Sequence, residues 1–395
     1  LIMSEIKVNS IKGVGASVAA LSINNTDGTA TANLTTVNSV TMPNGGFLSN
    51  RNLVINGAMQ VAQRGTSSTA NGFATVDRFQ INFDSGLTEA PTQAQVALSS
   101  SDTPYASGFR YAFKITNGNQ TSIDANDYLN LTQKIEAQNI AQSGWNYTSA
   151  SSKITLSFWI KASIAQTMYV RIEASDASKI YAFAVAVTTS WQKITHSIVG
   201  NSSLAFNNDN GSGLAIRFIP YYGTSYTDSS VSVESWISDN GSAQLPDMAN
   251  TWFSGNDATL EITGVQLEVG SVATDFEHLS FAQDLKLCER YFEVVSKDDA
   301  YIAIAMCYNS SVATGVVQCR TTKRTTPTIY QITGTNYYRF YRNDGYQDFN
   351  SFSGLAGIHR NGGAFYNNSL SHTSGHAGGF HGANANAFVA LQAEL

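Results

Sequence analysis

Charged residues are scarce in this chain of 395 residues. Asp, Glu, Lys and Arg make up 13% of it, about half of the ~25% that is usual in globular domains. The formal net charge is −6, so the chain lacks the basic field that attracts a phosphate backbone. We therefore predict that it has no nucleic-acid partner.

Cysteine and long apolar runs are also scarce. The chain has three cysteines, Cys288, Cys307 and Cys319, and their odd number and wide spacing do not indicate a disulfide framework. No stretch approaches the ~18 apolar residues of a membrane span, and residues 1–10 lack the features of a secretion signal. We expect a chain that is made in the cytoplasm and does not insert into a membrane.

The sequence lacks the common catalytic motifs. It contains no GxSxG, HExxH, P-loop or CxxC pattern. Glycoside hydrolysis needs two carboxylates that flank a cleft, and acidic residues such as Glu261 and Glu268 fit the polar face of a strand better than a catalytic pair. We predict no catalytic residue, no cofactor and a protein that is not an enzyme.

Glycine, small polar residues and aromatic residues are abundant instead. The chain has 31 Gly, 18 Tyr and 20 Phe but only 6 Pro, a profile typical of many short strands joined by polar turns. Apolar residues alternate in FRYAFKI (residues 109–115) and in KITLSFWIK (residues 153–161), as they do in half-buried strands. The pattern predicts an all-β protein without a long helix.

The chain is too long for one core, since single cores stop growing near roughly 250–300 residues. The predicted architecture is an extended N-terminal attachment arm (residues 1–50), a two-sheet β-sandwich (51–279), a short connecting helix (280–294) and a second, smaller C-terminal β-sandwich (295–395). Gly264 interrupts the alternation of the last strand of the first sandwich, which predicts a β-bulge there.

The connecting helix has a recognisable start. Ser280 is a predicted N-cap, and Gln283 completes a capping box. Phe281, Leu285, Cys288 and Phe292 recur at helical spacing. We expect these four side chains to form the buried face of the helix.

The N-terminal arm has few apolar residues, and these are scattered. About fifty such residues cannot bury a core alone. Two interpretations are open: the arm is a disordered leader, or it folds only against partner proteins, as an attachment segment would.

Five aromatic residues adjoin Gly, Asn or Ser and are therefore predicted in or near loops. Aromatic rings can stack on the apolar face of a sugar while neighbouring amides bind its hydroxyls. The alternative is that these rings cap the ends of the sandwich core. The candidate glycan contacts are Trp145, Tyr221, Tyr222, Tyr226 and Trp252.

Three histidines fall within a Gly/Ser-rich stretch, residues 367–386, which is predicted to be a long loop. They are His372, His376 and His381. Their spacing is irregular and the stretch carries no acidic ligand, so no metal site is predicted within one chain. A threefold axis would bring together one histidine from each of three chains, and these three remain weak metal candidates for that case.

Several segments resemble a known family. These are NLVINGAMQVAQRGTS (residues 52–67), VDRF (76–79), KITLSFWIKAS (153–163), QLEVGSVATDFEHLSFAQDLKLCERYF (266–292) and the closing FVALQAEL (388–395). They resemble tail-fibre proteins of tailed phages that carry a jelly-roll domain like that of carbohydrate-binding modules. The opening MSEIKVNSIKG resembles virion proteins of marine phages. Asp275 and Leu279 depart from the family pattern, which often has Pro and a basic residue there.

The resemblance implies that the sandwich of residues 51–279 is a jelly roll. It also implies a virion structural protein that is assembled in the host cytoplasm. It implies a tail or particle fibre that attaches through its N-terminal arm to other phage proteins, forms a homotrimer and contacts a host-surface polysaccharide or glycan. It carries over no ligand-contact residue, because the matching segments are scaffold. Two alternatives are open: a head fibre, decoration or tail-collar protein without receptor binding, and a polysaccharide depolymerase.

Overall fold

The structure, a computed structural model, describes residues 10–11, 21–23, 30–32, 50–343 and 345–395. The chain divides into two units, residues 1–45 and 46–395. In the first unit, β1 (Ser10–Ile11), β2 (Leu21–Ile23) and β3 (Ala30–Ala32) form a small antiparallel sheet. The predicted behaviour of the N-terminal arm otherwise lies outside the described residues.

The second unit begins with an antiparallel β-sandwich of two six-stranded sheets. Sheet I has the order β14-β11-β10-β13-β8-β5, and sheet II has the order β12-β9-β15-β7-β6-β4. Their strands are β4 (Ser67–Ser68), β5 (Phe79–Phe83), β6 (Thr92–Ala97), β7 (Tyr111–Thr116), β8 (Tyr128–Glu136), β9 (Lys153–Ala162), β10 (Gln166–Ala174), β11 (Lys179–Val187), β12 (Gln192–Val199), β13 (Ser212–Tyr222), β14 (Trp236–Ser238) and β15 (Thr259–Val269). The short helices α1 (Thr103–Ala106) and α2 (Ala137–Ala141) interrupt the series.

The chain crosses repeatedly between the two sheets, which gives the sandwich the jelly-roll arrangement that the family resemblance implied. The alternating residues of β9 and β13 point into one core, where the rings of Phe158 and Phe218 lie 5.0 Å apart. Gly264 has φ +64°, and the pairing of β15 with β9 shifts register between Thr263 and Gln266. The predicted bulge at Gly264 is therefore confirmed.

The connecting helix α3 (Phe281–Glu289) begins as predicted. The Ser280 side chain accepts a hydrogen bond from the Gln283 backbone amide, and the Gln283 side chain accepts one from the Ser280 amide. The helix ends before the predicted residue 294, and Phe292 lies in the strand that follows it. The predicted buried face is therefore wrong in part, also because the Phe281 side chain is 56% exposed. The residues that α3 buries are Asp284, Cys288 and Glu289.

The C-terminal body is a second sandwich of two antiparallel sheets. Sheet III has the order β16-β25-β19, and sheet IV has the order β21-β20-β24-β17-β18-β23-β22. Their strands are β16 (Phe292–Lys297), β17 (Tyr301–Cys307), β18 (Ala313–Gln318), β19 (Thr328–Ile332), β20 (Tyr338–Arg342), β21 (Gly345–Phe349), β22 (Gly354–His359), β23 (Gly362–Asn367), β24 (Ala377–Gly382) and β25 (Phe388–Gln392). The predicted long loop at 367–386 is wrong in part, because β24 runs through it.

Buried polar contacts join the two sandwiches. The Glu136 carboxylate, at the end of β8, accepts hydrogen bonds from Arg290 Nε at 2.7 Å and from the Tyr291 hydroxyl at 2.6 Å. Burial works to raise the pKa of Glu136, but these hydrogen bonds outweigh it and hold the pKa below its usual value. Because a buried charge is costly without its partner, this contact fixes the second sandwich against the first.

The helices are short throughout the part of the chain that the structure describes. None of them is long and apolar enough to cross a bilayer.

Candidate functional site: a cleft on the outer face of sheet I

Polar and aromatic side chains cluster on part of the outer face of sheet I. In β10, Val170 and Ile172 point into the core while Arg171 and Glu173 point outward, because successive residues of a strand face opposite sides. The same alternation sends Asn130 of β8 and Arg217 of β13 outward. Three neighbouring strands thus present charged and amide groups on one surface.

These side chains line a cleft of about 350 Å³, which lies within the range of small-molecule sites. The lining comes from β5, β8, β10 and β13 and from the segment that follows β13. It consists of Asn82, Tyr128, Asn130, Arg171, Arg217, Tyr222, Tyr226 and Gln244.

Two arginines share one carboxylate at one side of the cleft. Arg171 and Arg217 are direct neighbours across β10 and β13, where like charges repel. Glu173 Oε2 accepts from Arg171 Nη2 at 2.7 Å and from Arg217 Nη2 at 2.9 Å. The carboxylate therefore holds both guanidinium groups in place, and the Asp239 carboxylate lies 3.7 Å from Arg171 Nη2.

The charges of this cluster determine its protonation. Burial works to raise the pKa of Glu173, but the charges and hydrogen bonds of Arg217 and Arg171 outweigh it, so the pKa lies below its usual value. Glu173 is therefore ionised at neutral pH and is poorly suited to donate a proton. With Glu173 and Asp239 opposing the two arginines, the cleft carries little net charge.

An amide network forms the floor of the cleft. Asn130 Nδ2 donates to the Tyr222 hydroxyl at 3.1 Å, and Asn82 Nδ2 donates to Asn130 Oδ1 at 3.1 Å. On the opposite side, Arg171 donates to the side-chain oxygen of Gln244. Each contact fixes the orientation of a donor or acceptor, and such pre-set polar groups give a binding cleft its specificity.

Three tyrosines form the aromatic wall. The Tyr128 ring meets the rings of Tyr222 and Tyr226 edge to face, at 6.2 and 5.6 Å between centroids. Burial raises the pKa of both Tyr128 and Tyr222, so their hydroxyls stay protonated at neutral pH. Tyr226 is half-buried and also lines the cleft.

The structure brings two of the five predicted aromatic contacts together, Tyr222 and Tyr226. Tyr221 lies on the opposite side of its strand, in the core, where it stacks on Phe253 at 4.3 Å. A register shift between Phe218 and Tyr221 decides which of the adjacent tyrosines faces outward.

Trp145 and Trp252 are in the core and not on a surface. They are 3% and 0% exposed, and Trp252 Nε1 donates to the Thr259 carbonyl oxygen. Their neighbours in sequence correctly indicated loops, but these loops fold over the ends of the sandwich. The two tryptophans thus fit the alternative role, which is to cap the core.

The three histidines are not gathered into one site within the chain. His381 lies in β24, where its Nδ1 is 3.3 Å from an Asp299 carboxylate oxygen. Among residues 50–343 and 345–395, no group of three or more His, Cys, Asp or Glu side chains is placed to hold a metal ion. A site shared between chains at a threefold axis stays a prediction for His372, His376 and His381.

The sequence interpretation missed most of the polar lining. Asn82, Asn130, Arg171, Arg217 and Gln244 come from five separate segments, and no motif links them. The one local signal was the alternation of β10, which places the Arg171 and Glu173 side chains on the same face of the sheet. The strand pairing that joins them to Arg217 is a property of the folded sheet.

Comparison with known proteins gave matches only among solved structures. No protein-family model and no curated protein matches this chain. The enzymatically active domain of tailspike protein 4 from bacteriophage CBA120 matches 55% of the chain at 11% identity with a TM-score of 0.28. The match covers only 21% of the length of that tailspike domain.

Carbohydrate-binding modules match over nearly their whole length. The CBM22-1 xylan-binding domain from Paenibacillus barcinonensis matches 59% of this chain and 100% of its own, at 9% identity and a TM-score of 0.27. The family 11 module of a Clostridium thermocellum cellulosomal cellulase matches 53% of this chain and 96% of its own, at 11% identity and a TM-score of 0.26.

Proposed function

We propose that this protein binds a glycan in the cleft on sheet I and acts by binding, not by turnover. The observation that carries the proposal is the combination, in one cleft, of an aromatic wall with fixed amide and guanidinium groups. Sugars offer an apolar ring face and many hydroxyls, so they need both kinds of partner. The low net charge of the cleft favours a neutral oligosaccharide over an acidic one.

The binding test uses a glycan array of bacterial envelope oligosaccharides, followed by titration calorimetry on the strongest hit. Tyr226→Ala removes a half-buried ring from the aromatic wall of the cleft and is expected to weaken binding at least tenfold, which is about 1.4 kcal/mol. Tyr111→Ala is the matched control, because Tyr111 is 38% exposed on the other sheet. Equal affinity of the two variants for the glycan would show that the glycan binds outside this cleft.

The proposed setting is a phage particle, with the protein as a homotrimeric tail or particle fibre that meets the host surface. The resemblance of residues 52–67 and 266–292 to phage tail-fibre proteins supports this role. The N-terminal segment then attaches the fibre to other virion proteins. Deletion of residues 3–49 is expected to abolish incorporation into particles, and particles that still carry the truncated protein would contradict this role for the segment.

Enzymatic cleavage of the bound polysaccharide is the result that would contradict the proposed binding function. Incubation of the purified full chain with the polysaccharide that it binds is expected to release no reducing ends. Released oligosaccharide would make the protein a depolymerase. A protein that is present on particles but binds no glycan would be a structural component without receptor binding.

A further inference from the structure

The outer face of sheet IV carries a large exposed apolar surface. Six large side chains on or beside this face are between 50% and 89% exposed: Tyr301, Ile304, Met306, Tyr308, Val316 and Tyr346. A large side chain presents ~150–250 Å² when fully exposed, so the six expose on the order of 700 Å². The largest apolar patch of a typical monomer is about 300–600 Å², so this surface is larger than a free monomer usually shows.

One row of side chains crosses all seven strands of this face. The strand pairings of sheet IV place its members side by side, and Ile304 and Val316 continue the register of Ala305 with Gly315. In order across the sheet, the members are Tyr346, Tyr341, Gly379, Ile304, Val316, Ala364 and Ala356. None of these seven residues is charged, although Arg339 on the same face lies over the Tyr346 ring at 3.9 Å and pairs with Asp348.

The side chains of this row are large at one end of the sheet and small at the other. Tyr346 and Tyr341 lie at one end, Ala364 and Ala356 at the other, and Ile304, which is 89% exposed, is at the centre. A rotation about an axis parallel to β17 reverses the row between facing copies. The tyrosines of one copy then lie against the alanines of the next, and the Ile304 side chains meet at the axis.

We propose that this face of sheet IV is the surface through which copies of this chain associate, around an axis parallel to β17. The area agrees with the ~800 Å² per partner of a standard interface. Large-against-small pairing gives the complementary packing that such an interface requires. This inference deepens the proposed homotrimer by assigning its contact surface, and it is independent of glycan binding.

The first test measures the mass of the full chain in solution by light scattering across a range of concentrations. Ile304→Arg places a charge at the axis and is expected to weaken association at least a hundredfold. Val272→Arg is the matched control, because Val272 is 71% exposed in a loop outside sheet IV. Retained thermal unfolding and glycan binding show that the variant is folded, and Val316→Lys repeats the test if Ile304→Arg does not fold.

The outcomes separate the two proposals. An unchanged oligomer in both Ile304→Arg and Val316→Lys would overturn association through this face and leave the proposed trimer intact. A wild-type monomer at every concentration would overturn both the face and the trimer. A wild-type dimer that dissociates in Ile304→Arg would support association through this face but overturn the proposed trimer. A monomer whose glycan binding is lost in Ile304→Arg would make this face a ligand site and overturn the association.

The second test checks the pairing across the axis by cross-linking. Tyr346→Cys combined with Ala356→Cys, in a Cys319→Ser background, is expected to form disulfides between copies on mild oxidation. The two positions are six strands apart, roughly 29 Å at ~4.8 Å per strand, so they cannot link within one chain. Each single variant is expected to stay unlinked, and an unlinked double variant in an intact oligomer would overturn the arrangement.

Discussion

The Arg78 guanidinium in the first sandwich donates to the carboxylate of Glu394, the penultimate residue of the chain, at 2.5 Å. The same carboxylate accepts from Arg64 Nη2 at 3.1 Å, and all three side chains are almost fully buried. The Arg78 guanidinium also stacks on the Tyr291 ring at 3.5 Å. The C-terminal segment is thus bound to the first β-sandwich.

Replacement of the shared carboxylate is expected to destabilise the protein strongly. Glu394→Gln leaves two buried guanidinium groups without a counter-charge, and the expected loss is about 3–5 kcal/mol of unfolding free energy. Urea unfolding measures it. Glu261→Gln is the control, because Glu261 pairs with the partly exposed Lys161 at 3.2 Å and should cost less than about 1 kcal/mol. Similar losses in both variants would contradict the structural role of Glu394.

Asp77 makes the stability depend on pH. Burial raises its pKa to about 6, despite the hydrogen bonds of Gln63 and the charge of Arg64. A carboxyl whose pKa is higher in the folded state binds more protons there than in the unfolded chain, so stability falls as the pH rises from about 4 to about 6. Asp77→Asn should remove this fall, which is about 3 kcal/mol.

Urea unfolding at several pH values between 3 and 7 provides the measurement. Asp102→Asn is the control of opposite sign. Burial acts to raise the pKa of Asp102, but hydrogen bonds from Ser99 and Trp191 and the charge of Lys161 lower it to about 2. Its contribution is therefore lost only as the pH falls below about 4. An Asp77→Asn variant with the same slope as wild type between pH 4 and 6 would argue against the buried carboxyl.

Glu173→Gln is expected to loosen the arginine pair of the cleft. Without the shared carboxylate charge, Arg171 and Arg217 would repel each other on adjacent strands. The expected loss of unfolding free energy at pH 7 is about 1–3 kcal/mol. Because the pKa of Glu173 is lowered in the fold, its contribution is present at neutral pH and is lost as the pH falls below about 4.3. The stability difference between wild type and variant, measured by urea unfolding, should therefore shrink on acidification and not grow.

Gly264→Ala tests the bulge of β15. A Cβ at this position would lie 2.6 Å from Phe109 Cζ, on a backbone with φ +64°. The clash and the left-handed backbone together are expected to cost about 2–4 kcal/mol. Gly241→Ala separates the two effects, because Gly241 has φ +79° and open space around it. It should cost only about 1 kcal/mol, and equal thermal shifts would rule out the clash.

Local patterns in the sequence were sufficient for the elements themselves. The alternation of Ile154, Leu156, Phe158 and Ile160 correctly predicted β9, because a strand buries every second residue. The capping box of Ser280 predicted the start of α3. Both signals are short-range, so they do not depend on the rest of the fold.

The composition of the cleft was not predictable in the same way. Tyr221 and Tyr222 are adjacent, yet one lies in the core and the other in the cleft, and a register shift against β8 decides which. Trp145 and Trp252 sit in loop sequences, and only the path of those loops over the sandwich ends buries them. These outcomes depend on contacts between segments that are far apart in the chain.

The sequence by itself determined the all-β class, the two-sheet sandwich, the connecting helix and the bulge at Gly264, since each follows from hydrophobic periodicity, a cap or a single backbone conformation. Only the tertiary structure decided that Arg171 meets Arg217, that Glu394 meets Arg78, and that Ile304 lies at the centre of an apolar face. The physical reason is that non-local strand pairing sets these neighbours, and a shift of one residue in a strand sends every side chain to the opposite face.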